Sequence, residues 1–164
     1  MTEQEQAPDV ETKSDIPTRS GFIALIGAPN AGKSTLVNQL VGSKVSIVTH
    51  KVQTTRALVR GIVIHEQTQM VLVDTPGIFK PKRRLDRAMV TTAWGGAKDA
   101  DLILVLIDVE QGLDDEAEIL LESLHDKKRK VILVLNKVDR IEAPMLLELA
   151  QKANEKVNFD KTFM

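Results

Sequence analysis

Short apolar runs alternate with amphipathic stretches along most of the chain, and polar residues or glycine end each run. Strands buried on both faces read as continuous apolar runs, whereas a helix lying on a sheet repeats its apolar positions every three or four residues. The pattern predicts strands at residues 22–26, 57–65, 69–74, 101–108 and 130–135. It predicts helices at residues 33–41, about 85–98, 114–125 and about 144–157.

The order of these elements predicts an α/β fold. Strands that alternate with helices form a mostly parallel sheet with helices on both faces. Segments 57–65 and 69–74 are joined by a short polar turn, so they should form one antiparallel pair in that sheet. Residues 161–164 resemble the start of a further strand. We therefore expect the chain to be a fragment whose last strand and helix are truncated.

Composition excludes several classes of protein. The 164 residues suffice for one domain, and a formal charge of −1 argues against a protein that grips nucleic acid by bulk charge. The absence of cysteine excludes disulfide scaffolds, thiolate zinc sites and cysteine nucleophiles. Residues 1–20 carry five acids against two bases, and we expect a disordered acidic leader before a domain at 21–164. The leader lacks a signal-peptide pattern, which leaves the cytosol as the default compartment.

A glycine-rich segment between the first predicted strand and helix matches the P-loop pattern GxxxxGK[ST]. Its glycines let the backbone turn N–H donors toward phosphate oxygens at the positive end of the helix. Lys33 can reach the β- and γ-phosphates, and the Ser34 hydroxyl can bind magnesium. The motif residues are Gly27, Ala28, Pro29, Asn30, Ala31, Gly32, Lys33 and Ser34.

The predicted strand at residues 69–74 ends in a carboxylate, Asp74. This residue begins the motif Asp74-Thr75-Pro76-Gly77. An aspartate at a strand end is often only a cap or a turn residue. Beside a P-loop, however, one carboxylate is enough to complete a magnesium site, because Mg²⁺ keeps several of its waters. The Gly77 N–H could bond the γ-phosphate and so link the following loop to its presence.

The predicted strand at residues 130–135 is followed directly by the tetrapeptide Asn136-Lys137-Val138-Asp139. The Asp139 carboxylate can accept from N1–H and N2–H of guanine, a donor pair that adenine lacks. Lys137 can lay its stem along the base or ribose, and Asn136 can tie this loop to the P-loop. The tetrapeptide alone is weak, but its order after the P-loop and DxxG makes the combination specific for guanine nucleotides.

With these motifs in place, the sequence resembles the translation-factor class of P-loop GTPases and, within it, the Era family. The resemblance covers about residues 21–164 and rests on GAPNAGKST, QTTR, DTPG and NKVD, at 27–35, 53–56, 74–77 and 136–139. Val48-Thr49 followed by residues 51–56 separates Era-like chains from more distant GTPases.

The resemblance implies GTP or GDP with magnesium as the bound species. It assigns nucleotide binding to Gly27, Ala28, Pro29, Asn30, Ala31, Gly32, Lys33, Ser34, Thr35, Asp74, Thr75, Pro76, Gly77, Asn136, Lys137 and Asp139. It assigns magnesium to Ser34, Thr55 and Asp74, with Thr54 as the alternative to Thr55. It assigns hydrolysis to Lys33, Thr55, Gly77 and Asn30. Asn30 either helps to hold a potassium ion beside the phosphates or only braces the loop.

Two parts of the family pattern are missing, the SAL-type guanine loop and the C-terminal KH domain. Binding to the rRNA of the small ribosomal subunit, and a role in its assembly, are therefore implied for a parent protein only. The resemblance also implies a cytoplasmic monomer, possible peripheral membrane association and no DNA. By family analogy the sheet has six strands, and we expect loss of the last to expose the edge at 131–135.

Position 78 bears on the rate of hydrolysis. Ras-like GTPases place a water-orienting glutamine after DxxG, whereas this chain has Ile78, which can neither donate nor accept a hydrogen bond. Slow turnover is expected. Two alternatives remain: a nucleotide-gated binding module with incidental hydrolysis, and a P-loop small-molecule kinase. The basic stretch 80–87 either contacts RNA or a partner, or is a solvated loop.

Overall fold

The computed structural model describes residues 17–48, 58–81, 84–124 and 129–164. In these parts of the chain a six-stranded sheet has the order β2-β3-β1-β4-β5-β6. Its strands are β1 (Arg19–Gly27), β2 (Val59–His65), β3 (Thr68–Asp74), β4 (Leu102–Asp108), β5 (Lys130–Asn136) and β6 (Lys161–Phe163). The helices are α1 (Lys33–Val41), α2 (Arg84–Lys98), α3 (Asp115–Glu122) and α4 (Ala143–Lys156), with a 3-10 turn at Val138–Arg140.

Strand pairing confirms the predicted architecture. Only β2 and β3 are antiparallel among the described strands, and β1, β3, β4, β5 and β6 pair in parallel. The register places Asp108 beside Asn136, so the carboxyl ends of β4 and β5 lie at the same level. Loops that follow neighbouring parallel strands therefore meet at one edge of the sheet, where ligands of open α/β sheets bind.

Two hydrophobic clusters cover the two faces of the sheet. The larger one packs α2, α3 and α4 on one face, with Leu120, Leu121 and Leu133 fully buried. The smaller one packs α1 on the other face through Val37, against Leu25 and Leu72. Because α1 is anchored on the sheet in this way, its first turn is held rigidly at the end of β1.

Several predicted boundaries shift by a few residues. Strand β1 already includes Arg19 and Ser20, so the folded domain begins before the predicted boundary at residue 21. Helix α3 ends at Glu122 and not at residue 125, and Asp114 is its N-cap, accepting from Ala117 N at 2.8 Å. Residues 1–16 of the predicted leader lie outside the described part of the chain.

The prediction of an exposed β5 edge is wrong. Three residues, Lys161–Phe163, pair in parallel with Ile132, Leu133 and Val134. Asp160 also caps this junction, since its carboxylate accepts from Val131 N at 2.8 Å. A few residues suffice because the strand needs only its backbone donors and acceptors to cover the neighbouring edge. Within the described residues, no helix is both long and apolar enough to cross a bilayer.

Candidate functional site

The P-loop forms a tight turn between β1 and α1. Asn30 and Gly32 both lie in the left-handed region, with φ of 61° and 101°. This conformation is accessible to glycine and tolerated by asparagine, which explains these residue types at these two positions. Helix α1 begins at Lys33 directly after the turn. Because the first N–H groups of a helix have no carbonyl partner within that helix, they and the helix dipole make the loop an anion site.

Lys33 lies inside this loop rather than in solvent. Its side chain is buried, and Nζ donates to Gly27 O at 3.1 Å and to Ala28 O at 2.8 Å. Burial lowers the pKa of Lys33 to about 8, partly offset by the carboxylates of Asp74 and Glu116. A nearby polyphosphate would stabilise the ammonium, so the loop holds a cation that a phosphate ligand would favour strongly.

The base-reading motif is tied directly to the P-loop. Asn136 Nδ2 donates to Ala31 O at 2.9 Å, across 105 positions of sequence, which confirms the predicted link. A Cβ on Gly32 would fall on this same Asn136 amide. Gly32 is therefore required twice, for its backbone conformation and for the space that the asparagine occupies.

Lys137 and Asp139 lie just beyond that link. Lys137 has a left-handed backbone, with φ of 64°, and Nζ pairs with Asp108 Oδ2 at 2.5 Å. Asp139 is largely exposed, with only a 3.3 Å pair to Arg140, so its carboxylate is open to a ligand. A cavity of about 360 Å³ is lined by Asn30 of the P-loop together with Asp108 and Lys137.

Asp74 is fully buried at the end of β3 and accepts from two hydroxyl groups. Ser34 Oγ donates to its Oδ2 at 2.5 Å, and Ser46 Oγ donates to the same atom at 2.6 Å. The two predicted magnesium ligands of the described chain, Ser34 and Asp74, are thus brought into direct contact. A hydroxyl and a carboxylate are hard oxygen donors, which is the ligand chemistry that Mg²⁺ requires, so these residues fit that ion.

The residues after Asp74 have mixed roles. The Thr75 hydroxyl is buried and donates to Leu25 O at 2.7 Å, so its side chain fixes the loop to β1 and does not face a ligand. A Cβ on Gly77 would lie 2.8 Å from backbone atoms of Pro29, so only glycine allows this approach to the P-loop. Ile78 is 1% exposed within the core, and its N–H donates to Gly27 O at 3.0 Å.

Sequence reasoning missed three residues of this site. Asn38 and Ser46 fall in segments with no motif, and Asp108 ends a strand without a recognisable signature. Only the polar residue closing an apolar strand could have indicated Asp108. The predicted switch threonines, Thr54 and Thr55, lie outside the described residues.

The basic stretch after DTPG is only partly described. Lys80, Arg84 and Arg87 are exposed, whereas Lys82 and Arg83 are outside the described residues. This exposure is what both a contact with RNA and a solvated loop require.

Comparisons with known proteins agree with this geometry. A sequence model of the family described as "50S ribosome-binding GTPase" matches residues 22–137. The GTPase Era of Brucella suis is 77% identical over 147 residues, covering 90% of this chain and 47% of that protein. A variant of Aquifex aeolicus Era bound to GDP.AlF4- has a TM-score of 0.80 and 37% identity, over 88% of this chain and 50% of that one.

A second solved structure, Era in complex with MgGDPNP and nucleotides 1506–1542 of 16S ribosomal RNA, has a TM-score of 0.82 and 37% identity. It covers 90% of this chain and 51% of that one. The chain thus spans about half the length of the relatives it matches. The P-loop, the buried Asp74 and the tethered NKVD loop lie within the matched residues, and the chain belongs to the 50S ribosome-binding GTPase family, with Era GTPases among its similar relatives.

Proposed function

We propose that this chain is a guanine-nucleotide-binding domain that hydrolyses GTP slowly and with magnesium. The hydrogen bond between Asn136 and Ala31 O carries this proposal. It makes the phosphate-binding loop and the base-reading loop one rigid unit, so that a single ligand with a guanine at one end and phosphates at the other is recognised as a whole. The Era structures bound to GDP.AlF4- and to MgGDPNP support the same ligand class.

Binding depends on residues whose positions the fold fixes. Amides at the start of α1 and the buried Lys33 ammonium would face the phosphates. The exposed Asp139 carboxylate would accept from the guanine edge. Asp108 would hold Lys137 beside the base, because their ion pair fixes the lysine's end and leaves its aliphatic stem to cover the ring.

Ser34 and Asp74 would hold magnesium, which when bound neutralises charge on the phosphate oxygens during hydrolysis. Their mutual hydrogen bond keeps both oxygens on one side of the P-loop. The glycine at position 77 brings the DTPG backbone against Pro29, where its N–H would serve the terminal phosphate. These groups all stabilise charge, and none of them takes a proton from water.

The burial of the Ile78 side chain explains why GTP turnover should be slow. Its side chain packs in the core beside the sheet, so this position offers nothing to orient a water molecule. Electrostatic stabilisation by Lys33 and the loop amides remains, and it is usually the larger part of catalysis. We therefore place this domain among slow GTPases.

Competition for a fluorescent GDP analogue tests the ligand class. We expect GTP and GDP to displace it at concentrations at least about 100-fold lower than ATP, since adenine lacks the donor pair that Asp139 reads. Equal displacement by ATP would contradict the proposal and favour the P-loop kinase. Single-turnover hydrolysis of GTP, measured with and without ribosomal subunits, distinguishes a GTPase switch from a nucleotide-gated module with incidental hydrolysis.

A potassium ion beside Asn30 is a further part of the proposal. Asn30 is exposed at the P-loop turn, where its side-chain oxygen could serve as a ligand. Asn30→Gly removes the side chain but preserves the left-handed backbone, so it separates ion binding from loop bracing. We expect the native chain to hydrolyse GTP faster in potassium chloride than in sodium chloride, and the glycine variant to lose that difference. Equal native rates in both salts would exclude the ion.

For the full-length protein we propose binding to rRNA of the small ribosomal subunit, as the rRNA-bound relative suggests. On the basis of the family resemblance, we also propose a cytoplasmic location, peripheral membrane association and a monomeric state. Binding of the longer protein, but not of this chain, to nucleotides 1506–1542 of 16S ribosomal RNA would support the proposal on rRNA. Equal binding by both would place the RNA surface within the residues seen here.

A further inference from the structure

One polar cluster near the proposed magnesium site has no role in the function described so far. Asn38 lies in the second turn of α1 and makes three hydrogen bonds to the segment after that helix. Its Oδ1 accepts from Val45 N at 2.9 Å and from Ser46 N at 2.8 Å, and its Nδ2 donates to Ser46 O at 2.8 Å. We call this arrangement the Asn38–Ser46 latch.

The latch sets the position of one hydroxyl group. Because Asn38 binds both the N–H and the C=O of Ser46, the backbone of that residue is fixed relative to α1. Ser46 is only 2% exposed, and its Oγ donates to Asp74 Oδ2 at 2.6 Å. The hydroxyl is not needed to hold its own segment, since Asn38 already does so through the backbone.

Helix α1 therefore reaches Asp74 by two routes. Ser34 and Asn38 are four residues apart, so they lie on one face of the helix, one turn from each other. Ser34 contacts the carboxylate directly at 2.5 Å, and Asn38 contacts it through Ser46. Both hydroxyls bind the same oxygen, Oδ2, so that turning the carboxylate away from Ser34 would break two hydrogen bonds instead of one.

We propose that Ser46 is a positioning residue for the magnesium site, which orients Asp74 toward Ser34, and that Asn38 acts through it. The inference rests on the proposed function. Groups that orient a metal ligand through hydrogen bonds typically change metal affinity by 10–100-fold when removed. The segment after α1 is thereby coupled to magnesium: holding the ion and holding this segment in place become mutually favourable.

Release of a fluorescent GDP analogue, measured over a range of free magnesium, tests the proposal. We expect Ser46→Ala to raise the magnesium concentration that half-maximally slows release by about tenfold. Release in excess EDTA should stay within about twofold of the native rate, because the metal is then absent in both proteins. Ser46→Cys, which keeps the size but offers only a weak S–H donor, should behave like the alanine variant.

Asn38→Ala should affect the Asp74 carboxylate without altering the Ser46 side chain itself. This variant keeps the test informative if a Ser46 variant fails to fold. It should shift the magnesium response in the same direction, and the double variant should add little to either single change, because both lie on one route. Ser43→Ala, an exposed serine in the same segment, is the matched control and should leave the response unchanged.

Unchanged magnesium dependence in Ser46→Ala and Asn38→Ala would overturn the proposal. So would equal acceleration of release with magnesium and with EDTA, since that result indicates a purely structural role. If the native chain binds the analogue and its release responds clearly to magnesium, variants without the expected shift contradict the role of the latch and leave the proposed function intact. If the native chain does not bind the analogue, the proposed function itself is wrong and the inference falls with it.

Discussion

Replacing Lys33 by methionine is expected to weaken GDP binding by at least about 100-fold while leaving the nucleotide-free fold no less stable. The loss of affinity follows because the ammonium is the cation that the loop encloses for the phosphates. The fold tolerates the change because both carbonyls keep another donor. Gly27 O also accepts from Ile78 N at 3.0 Å, and Ala28 O also accepts from Ala31 N at 3.3 Å.

The stability part of this prediction has a definite sign. The pKa of Lys33 falls from 10.5 to about 8 on folding, mainly through burial, so the charged form costs the folded state about 3 kcal/mol at neutral pH. Methionine fills a similar volume without that cost. Thermal melts without nucleotide at pH 7 should give an equal or higher Tm, with Lys98→Met, at an exposed position, as control. A fall of the Tm by several degrees would contradict this account.

The same pKa predicts a pH dependence. The folded protein loses the Lys33 proton near pH 8, whereas the unfolded chain keeps it until about 10.5, so stability from this group rises across that window and is independent of pH below it. Nucleotide binding has the opposite dependence, because the phosphates require the ammonium. GDP affinity should fall as the pH rises through about 8, and binding there should take up protons. Calorimetry in two buffers of different ionisation enthalpy measures that uptake.

Asp139→Asn is expected to weaken GDP binding by at least about 100-fold and to create affinity for xanthosine diphosphate. Guanine presents two donors to the carboxylate, whereas xanthine presents one donor and one acceptor. The asparagine amide matches the second pattern and leaves a donor facing the guanine amino group. Because Asp139 is exposed and pairs only loosely with Arg140, the change should not disturb the fold.

Competition assays with the two diphosphates measure this exchange of preference. Asp99→Asn, also at an exposed aspartate but not in the motif, should leave both affinities unchanged. If Asp139→Asn bound GDP as tightly as the native chain, the base would not be read by this carboxylate. The guanine assignment would then have to rest on backbone groups of the same loop.

The local motifs of this chain were predictable because their physics is local. The P-loop needs only two residues that accept a left-handed backbone, Asn30 and Gly32, and a lysine and a serine at a helix start, and all of these lie within residues 27–34. The alternation of apolar runs and amphipathic stretches likewise reports short-range periodicity. The strand that begins at Lys161 was anticipated, and its place beside β5 followed from the family analogy, but the sequence did not show that three residues are enough to form this pairing.

Sequence by itself therefore determined the α/β class, the phosphate loop and the candidate base-reading loop. Tertiary structure alone decided which further side chains hold Asp74 and Lys137 in place. Ser46 reaches Asp74 across 28 positions and Lys137 reaches Asp108 across 29. The first contact depends on the latch to α1, and the second on the register that places the ends of β4 and β5 side by side. Neither contact can be recognised in the sequence from a periodic pattern or a fixed spacing, because packing, and not the chain between two distant residues, determines whether they form a hydrogen bond.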